Sequence, residues 1–184
     1  MECTEVNKKG IEFYSKLESF SMRLSKILEA VSALLIFICF LTLLFQVLYR
    51  FVIIKFFSFS FPFTEEFSRY LLVWAVYLIA GVNLREGSMV AINFVYDKLG
   101  VKSKAFLYYI TRIMTTIFLG VVFFYSLKVI KQNVNFSSST LRAPGWILFS
   151  APTVGVILLA FENFVEIIGV VVGKNKPFES RLDA

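Results

Sequence analysis

The apolar residues of this chain fall into four long blocks separated by shorter polar stretches. Ala30 to Tyr49 carries no charged residue over twenty positions and closes at Arg50. An apolar helix of that length crosses the ~30 Å hydrocarbon core of a bilayer. The second block, Tyr70 to Val82, has only thirteen residues. It becomes a span if its helix starts upstream at Thr64. Thr64 suits an N-cap, Pro62 precedes it, and Glu65 and Glu66 fall in the first turn, where the helix dipole favours anions. The third block runs from Ala105 to Ile130, with Arg112 in its first turns. The fourth opens at Pro144-Gly145-Trp146, stays uncharged to Phe161, and then meets Glu162 and Glu166 before Ile167 to Gly173. The expected spans are therefore 27–49, 64–84, 105–130 and 146–172.

The polar stretches are patterned too. In residues 1–26, Ile11, Tyr14, Leu17, Phe20 and Leu24 recur at three- and four-residue steps between charges. That spacing predicts an amphipathic helix lying at the membrane surface. Residues 1–26 carry four acids and no small-residue cleavage site follows the apolar block, so a signal peptide is not expected. Residues 51–63, FVIIKFFSFSFPF, read as an interfacial aromatic loop. Met89, Ile92, Val95, Tyr96 and Leu99 give one face of a short surface helix before the third span. Residues 131–142 form a polar loop and 174–184 a polar tail. The expected fold is all-α. It is an integral membrane protein of four transmembrane helices, an N-terminal amphipathic interfacial helix and a short surface helix between spans 2 and 3, in a single membrane domain.

Composition narrows the chemistry. Of 184 residues 58% are hydrophobic and 22 are Phe, which excludes a disordered chain or a disulfide-stapled domain. The chain has 0 His and only 2 Cys. This removes histidine metal ligands, haem ligands, Ser-His-Asp triads and metal or redox cysteine pairs. The net charge is +6, yet no nucleic-acid-binding signature accompanies it. The charge instead has a topological use. Thirteen Lys and Arg lie on the side that holds the two termini and the second loop, and six on the other side. That excess places both termini in the cytoplasm.

This topology sorts the charges into two layers. Arg50, Glu65, Glu66 and Arg69 lie outside, while Lys26, Glu29, Arg85, Glu86, Arg112, Glu162 and Glu166 lie inside. Between them only Thr42, Gln46, Thr115 and Thr116 offer polar atoms of note. An ion or proton pathway needs ionisable or strongly polar groups at depth. Two readings stay open for the outer layer. Glu65 and Glu66 with Arg69 form an exposed helix-start pairing, or they form a part-buried cluster with Arg50 that locks two spans or grips another protein. Glu162 and Glu166 stand one turn apart. They suit a salt bridge to Arg112 or to a partner chain, and paired carboxylates also suit acid–base work. Trp74 shares a face with Tyr70 and Tyr77, a packing pattern. Gly169-x-x-x-Gly173 and Ala151-x-x-x-Gly155 allow close helix approach. GVVVGKNK at 169–176 has the wrong spacing for a phosphate loop, and Asn175 stands where Ser or Thr is needed. No cofactor or metal is called for.

The first span ends Gln46-Val47-Leu48-Tyr49-Arg50-Phe51. After the aromatic loop comes Phe63-Thr64-Glu65-Glu66, then Arg69-Tyr70, Trp74, and Arg85 with Gly87. This order resembles the small membrane subunit of tripartite ATP-independent periplasmic (TRAP) transporters. Phe63 stands where that family often has Trp, Ile79 where it often has Gly, and Met89 where it often has His. The resemblance implies a bacterial inner-membrane system. In it, a periplasmic substrate-binding protein delivers an organic anion, sialic acid in preference to a C4-dicarboxylate, to a large multi-span subunit driven by sodium. The small subunit braces the large one amid membrane lipid, helps dock the binding protein, and is not an enzyme. Among the positions that carry the resemblance, Arg50, Glu65, Glu66, Arg69, Trp74 and Arg85 are candidates for partner contact, and the charge reading adds Arg112, Glu162 and Glu166. The competing expectation is an independent four-helix channel or small exporter acting as a homo-oligomer.

Overall fold

The computed structural model of the chain describes residues 2–51, 63–85 and 101–172. They form four α-helices: α1 Glu2–Phe51, α2 Phe63–Arg85, α3 Val101–Gln132 and α4 Gly145–Val171. All four contain stretches long and apolar enough to cross a membrane. Among the described residues no strand forms, and one isolated bridge joins Ser137 to Pro144 in the α3–α4 loop. The fold is all-α. The expected surface helix near 88–99 and the tail 174–184 lie outside the described residues.

The N-terminal segment differs from its expected form. It is helical, but it is the first half of α1 rather than a separate element. The cause is local: α1 contains no Pro, its one Gly is Gly10, and Lys26 to Ala30 are good helix formers. The change from polar to apolar side chains alters the surroundings of the helix without touching its backbone hydrogen bonds. At 1.5 Å per residue α1 is roughly 75 Å long, more than twice the hydrocarbon thickness.

The packing is inverted relative to a water-soluble bundle. Among the described side chains of α1, Tyr14, Ser21, Ser25, Ser32, Cys39 and Tyr49 are buried, whereas Leu34, Phe37, Phe40 and Leu41 are exposed. Lipid solvates large apolar side chains as well as a protein core does, so helix seams go to small and weakly polar residues. Contacts run from α1 to α2, α2 to α4 and α4 to α3, with a lesser contact between α1 and α4. Thus α4 is the central helix.

It approaches α2 closely. A Cβ on Gly155 would stand 2.7 Å from Tyr77 Cδ1 and 3.0 Å from the Tyr77 carbonyl oxygen, and one on Gly81 would stand 3.2 Å from Leu158 Cβ. A Cβ on Gly10 would stand 3.9 Å from Val172 Cγ2, so the two ends of the described chain lie at one end of the bundle. This is the termini end. The turn between α3 and α4 marks the opposite, loop end.

Candidate functional site

The termini end carries a polar layer organised by α4. Glu162, Asn163 and Glu166 fall within five positions, and α4 has α1 on one side and α3 on the other. Glu162 turns towards α1. The Ser21 hydroxyl lies 2.7 and 2.8 Å from its two carboxylate oxygens, and the Ser25 hydroxyl lies 3.5 Å away. Asn163 and Glu166 turn towards α3. Arg112 donates from Nη1 to Asn163 Oδ1 at 2.9 Å and from Nη2 to Glu166. Asn163 Nδ2 in turn donates to Thr116 Oγ1 at 3.0 Å, and the Thr116 hydroxyl donates to the Arg112 carbonyl at 2.8 Å. The guanidinium carbon is also 5.2 Å from the Tyr108 ring centroid. Of the two glutamates expected near Arg112, the structure therefore gives it Glu166 and sends Glu162 to α1. The split follows from the helix: positions four apart differ by about 40° around the axis, which suffices when the neighbours lie on different sides.

At the loop end the adjacent Glu65 and Glu66 also part company. Glu65 pairs with Arg69 at 2.6 Å on the surface, with 56% and 71% of the two side chains exposed. Arg50 is exposed as well. Glu66 instead reaches the α3–α4 turn. It accepts from the Ser138 hydroxyl, the Ser139 hydroxyl at 2.8 Å, and the backbone N–H groups of Thr140 at 3.2 Å and Leu141 at 3.0 Å. The turn is closed by Ser138 N–H to the Ala143 carbonyl at 2.9 Å and Gly145 N–H to the Phe136 carbonyl at 2.7 Å. Gly145 is required there, because a Cβ would stand 2.9 Å from the Phe136 carbonyl oxygen.

Glu66→Ala removes the acceptor of four donors. Hydrogen bonds to a charged acceptor are stronger than those between neutral groups. Amide exchange across residues 138–143 is therefore expected to accelerate on the order of tenfold or more while α2 itself stays protected. Unchanged exchange in the turn would show that Glu66 does not hold it.

Trp74 and Arg85 are the remaining candidates. Trp74 Nε1 donates to the Ile147 carbonyl at 3.1 Å, joining α2 to α4 near the loop end. Tyr77 lies against Gly155. Arg85 sits half-buried in the last turn of α2. The Ser126 and Thr153 hydroxyls meet at 3.0 Å between α3 and α4. Thr42 spends its hydroxyl on the Ile38 carbonyl, 2.8 Å away in its own helix. An apolar groove between α3 and α4, with lobes of about 240 and 470 Å³, shares Thr116 and Ile167 between its two lobes. Among the described residues no group of three or more His, Cys, Asp or Glu gathers to hold a metal. Sequence reading missed Ser21, Ser25, Asn163 and the Ser138–Leu141 donors.

A family model described as the DctQ component of tripartite ATP-independent periplasmic transporters matches residues 39–173. The chain belongs to this DctQ family. Neither a curated protein nor a solved structure matches it. As a DctQ subunit it is the small permease component of a TRAP transporter. The matched range takes in the second part of α1 and all of α2, α3 and α4. Ser21 and Ser25 lie before that range, whereas their partner Glu162 lies within it. The contact therefore fastens the N-terminal half of α1 to the part of this DctQ chain that carries the family pattern.

Proposed function

We propose that this DctQ subunit is the static brace of a sodium-driven TRAP transporter in a bacterial inner membrane. It holds the large multi-span subunit among membrane lipid and turns its loop end to the periplasm, where a soluble binding protein delivers an organic anion, sialic acid ahead of a C4-dicarboxylate. The observation that carries this reading is the separation of polar groups. Glu162, Glu166 and Arg112 at one end and Glu66 at the other tie helices or turns together, while α1 from Ala30 to Tyr49 and α4 from Gly145 to Phe161 carry no charge. A translocation path needs polar groups at depth, so transport belongs to another chain. The Lys and Arg excess at the termini end supports a cytoplasmic position for both termini.

The experiment is reconstitution. Proteoliposomes holding this chain alone should show no sodium-dependent uptake. Adding the large subunit and the binding protein should restore it, and the two membrane chains should co-purify. Uptake by this chain alone would overturn the brace and favour the independent four-helix channel.

A further inference from the structure

We infer that the α3–α4 turn, residues 133–144, is a preformed docking element that, beside Lys131 in the last turn of α3, presents Arg142 to an acidic face of the soluble binding protein. The inference rests on the loop end facing that protein, as proposed above.

Charge is the first observation. From Lys98 to Phe161 the chain contains no Asp or Glu. Lys128, Lys131 and Arg142 are all exposed around the turn. Arg69 is paired with Glu65 at 2.6 Å and adds no net charge to this rim. The acid that the turn does contact, Glu66, comes from α2, and it faces the Ser138 to Leu141 donors. Charges fixed at such a rim act mainly on the encounter rate with an oppositely charged surface.

Backbone geometry is the second observation. Arg142 has φ 50°, the one positive φ at a non-glycine position among the described residues. Asn, Asp and Gly adopt that region far more readily than arginine does. A conformation of this kind persists where the surroundings over-determine it. Here the surroundings are the Ser137–Pro144 bridge, the Ser138-to-Ala143 and Gly145-to-Phe136 hydrogen bonds, and the donors that Glu66 holds. Phe136 packs edge-on to Phe149 with centroids 6.3 Å apart. Phe136 and Trp146 nevertheless remain 53% and 50% exposed beside the arginine. Arginine next to exposed aromatic rings is the composition of energetically dominant interface positions. A lipid phosphate would need only a flexible cation reaching the headgroups; a corner fixed at both flanks suits a shaped protein surface.

The test uses the assembled transporter in nanodiscs of phosphatidylcholine with its soluble binding protein. Arg142→Gly keeps the left-handed backbone and removes the charge; Arg142→Glu with Lys131→Glu reverses it. Association should slow about tenfold for the double reversal at low salt, its salt dependence should flatten, and Arg142→Lys should recover part of the rate. Amide exchange in the turn should stay unchanged in Arg142→Gly. Unaltered association in both the glycine and the reversal variants would overturn the inference. So would a loss of binding to phosphatidylglycerol vesicles with protein association intact, which would mark a headgroup contact. Wild-type discs that hold both membrane chains yet fail to bind the soluble protein would also overturn it and leave the brace standing. Failure of the membrane chains to co-purify would instead remove the brace reading and the inference with it.

Discussion

Valine at Gly155 is expected to lower the stability of the solubilised subunit by about 3 kcal/mol, alanine there by about 1 kcal/mol, while alanine at Gly120 leaves it equal or higher. The contrast isolates helix approach from helix propensity. Both positions lie inside helices, where exchanging Gly for Ala alone gains up to about 1 kcal/mol. At Gly120 nothing stands within 4 Å of the new Cβ. At Gly155 the new carbon meets Tyr77 Cδ1 at 2.7 Å, Tyr77 Cβ at 2.9 Å and the Tyr77 carbonyl oxygen at 3.0 Å. The ring atom can swing aside, but Cβ and the carbonyl move only with α2. Overpacking therefore outweighs the propensity gain, and the γ-methyls of valine worsen it. Trp74 adds to the cost, since its hydrogen bond to Ile147 lies along the same seam. Thermal unfolding in detergent, followed by the loss of monodisperse protein, reads all three variants. Equal midpoints for Gly155→Val and the native chain would mean that α2 and α4 do not meet at Tyr77.

The four spans were legible because bilayer thickness imposes a length on apolar blocks, and the blocks here meet it. The continuity of α1 was less so. The sequence changes character near Lys26, but a helix backbone is indifferent to whether its side chains face water or lipid. Glu65 and Glu66 mark the limit of spacing arguments. Adjacent helix positions diverge by about 100°. The donors that claim Glu66 sit seventy-odd residues downstream, beyond any local pattern. One signal was present but unused. Ser25, Ser32, Cys39 and Gln46 recur every seven residues within α1. A seven-residue repeat of small or weakly polar residues inside an apolar block traces a seam between packed helices, and Ser25, Ser32 and Cys39 are buried. Ser21 precedes Ser25 by one turn, so that line also leads to Glu162.

Arg112→Leu is expected to destabilise the subunit by about 2–3 kcal/mol, and the double variant Arg112→Leu, Glu166→Leu to recover most of that loss. The asymmetry is the argument. The single change leaves the Glu166 carboxylate and Asn163 Oδ1 at a helix interface with their donor gone. Only 22% of the Glu166 side chain is exposed, so water repays little of the loss. Removing both charges leaves apolar groups facing each other, which the α3–α4 groove accommodates. Arg112→Lys should fall between, because one ammonium cannot reproduce a fork that serves Asn163 and Glu166 together. A double-mutant cycle on unfolding midpoints measures the coupling, and additive losses would show that the pair does not hold α3 to α4. The same variants separate a brace from a substrate site. If the layer only positions α3, Arg112→Leu lowers the amount of assembled transporter and leaves the KM for uptake unchanged in the complexes that form. A raised KM at equal assembly would instead place Arg112 in contact with the transported anion or its gate.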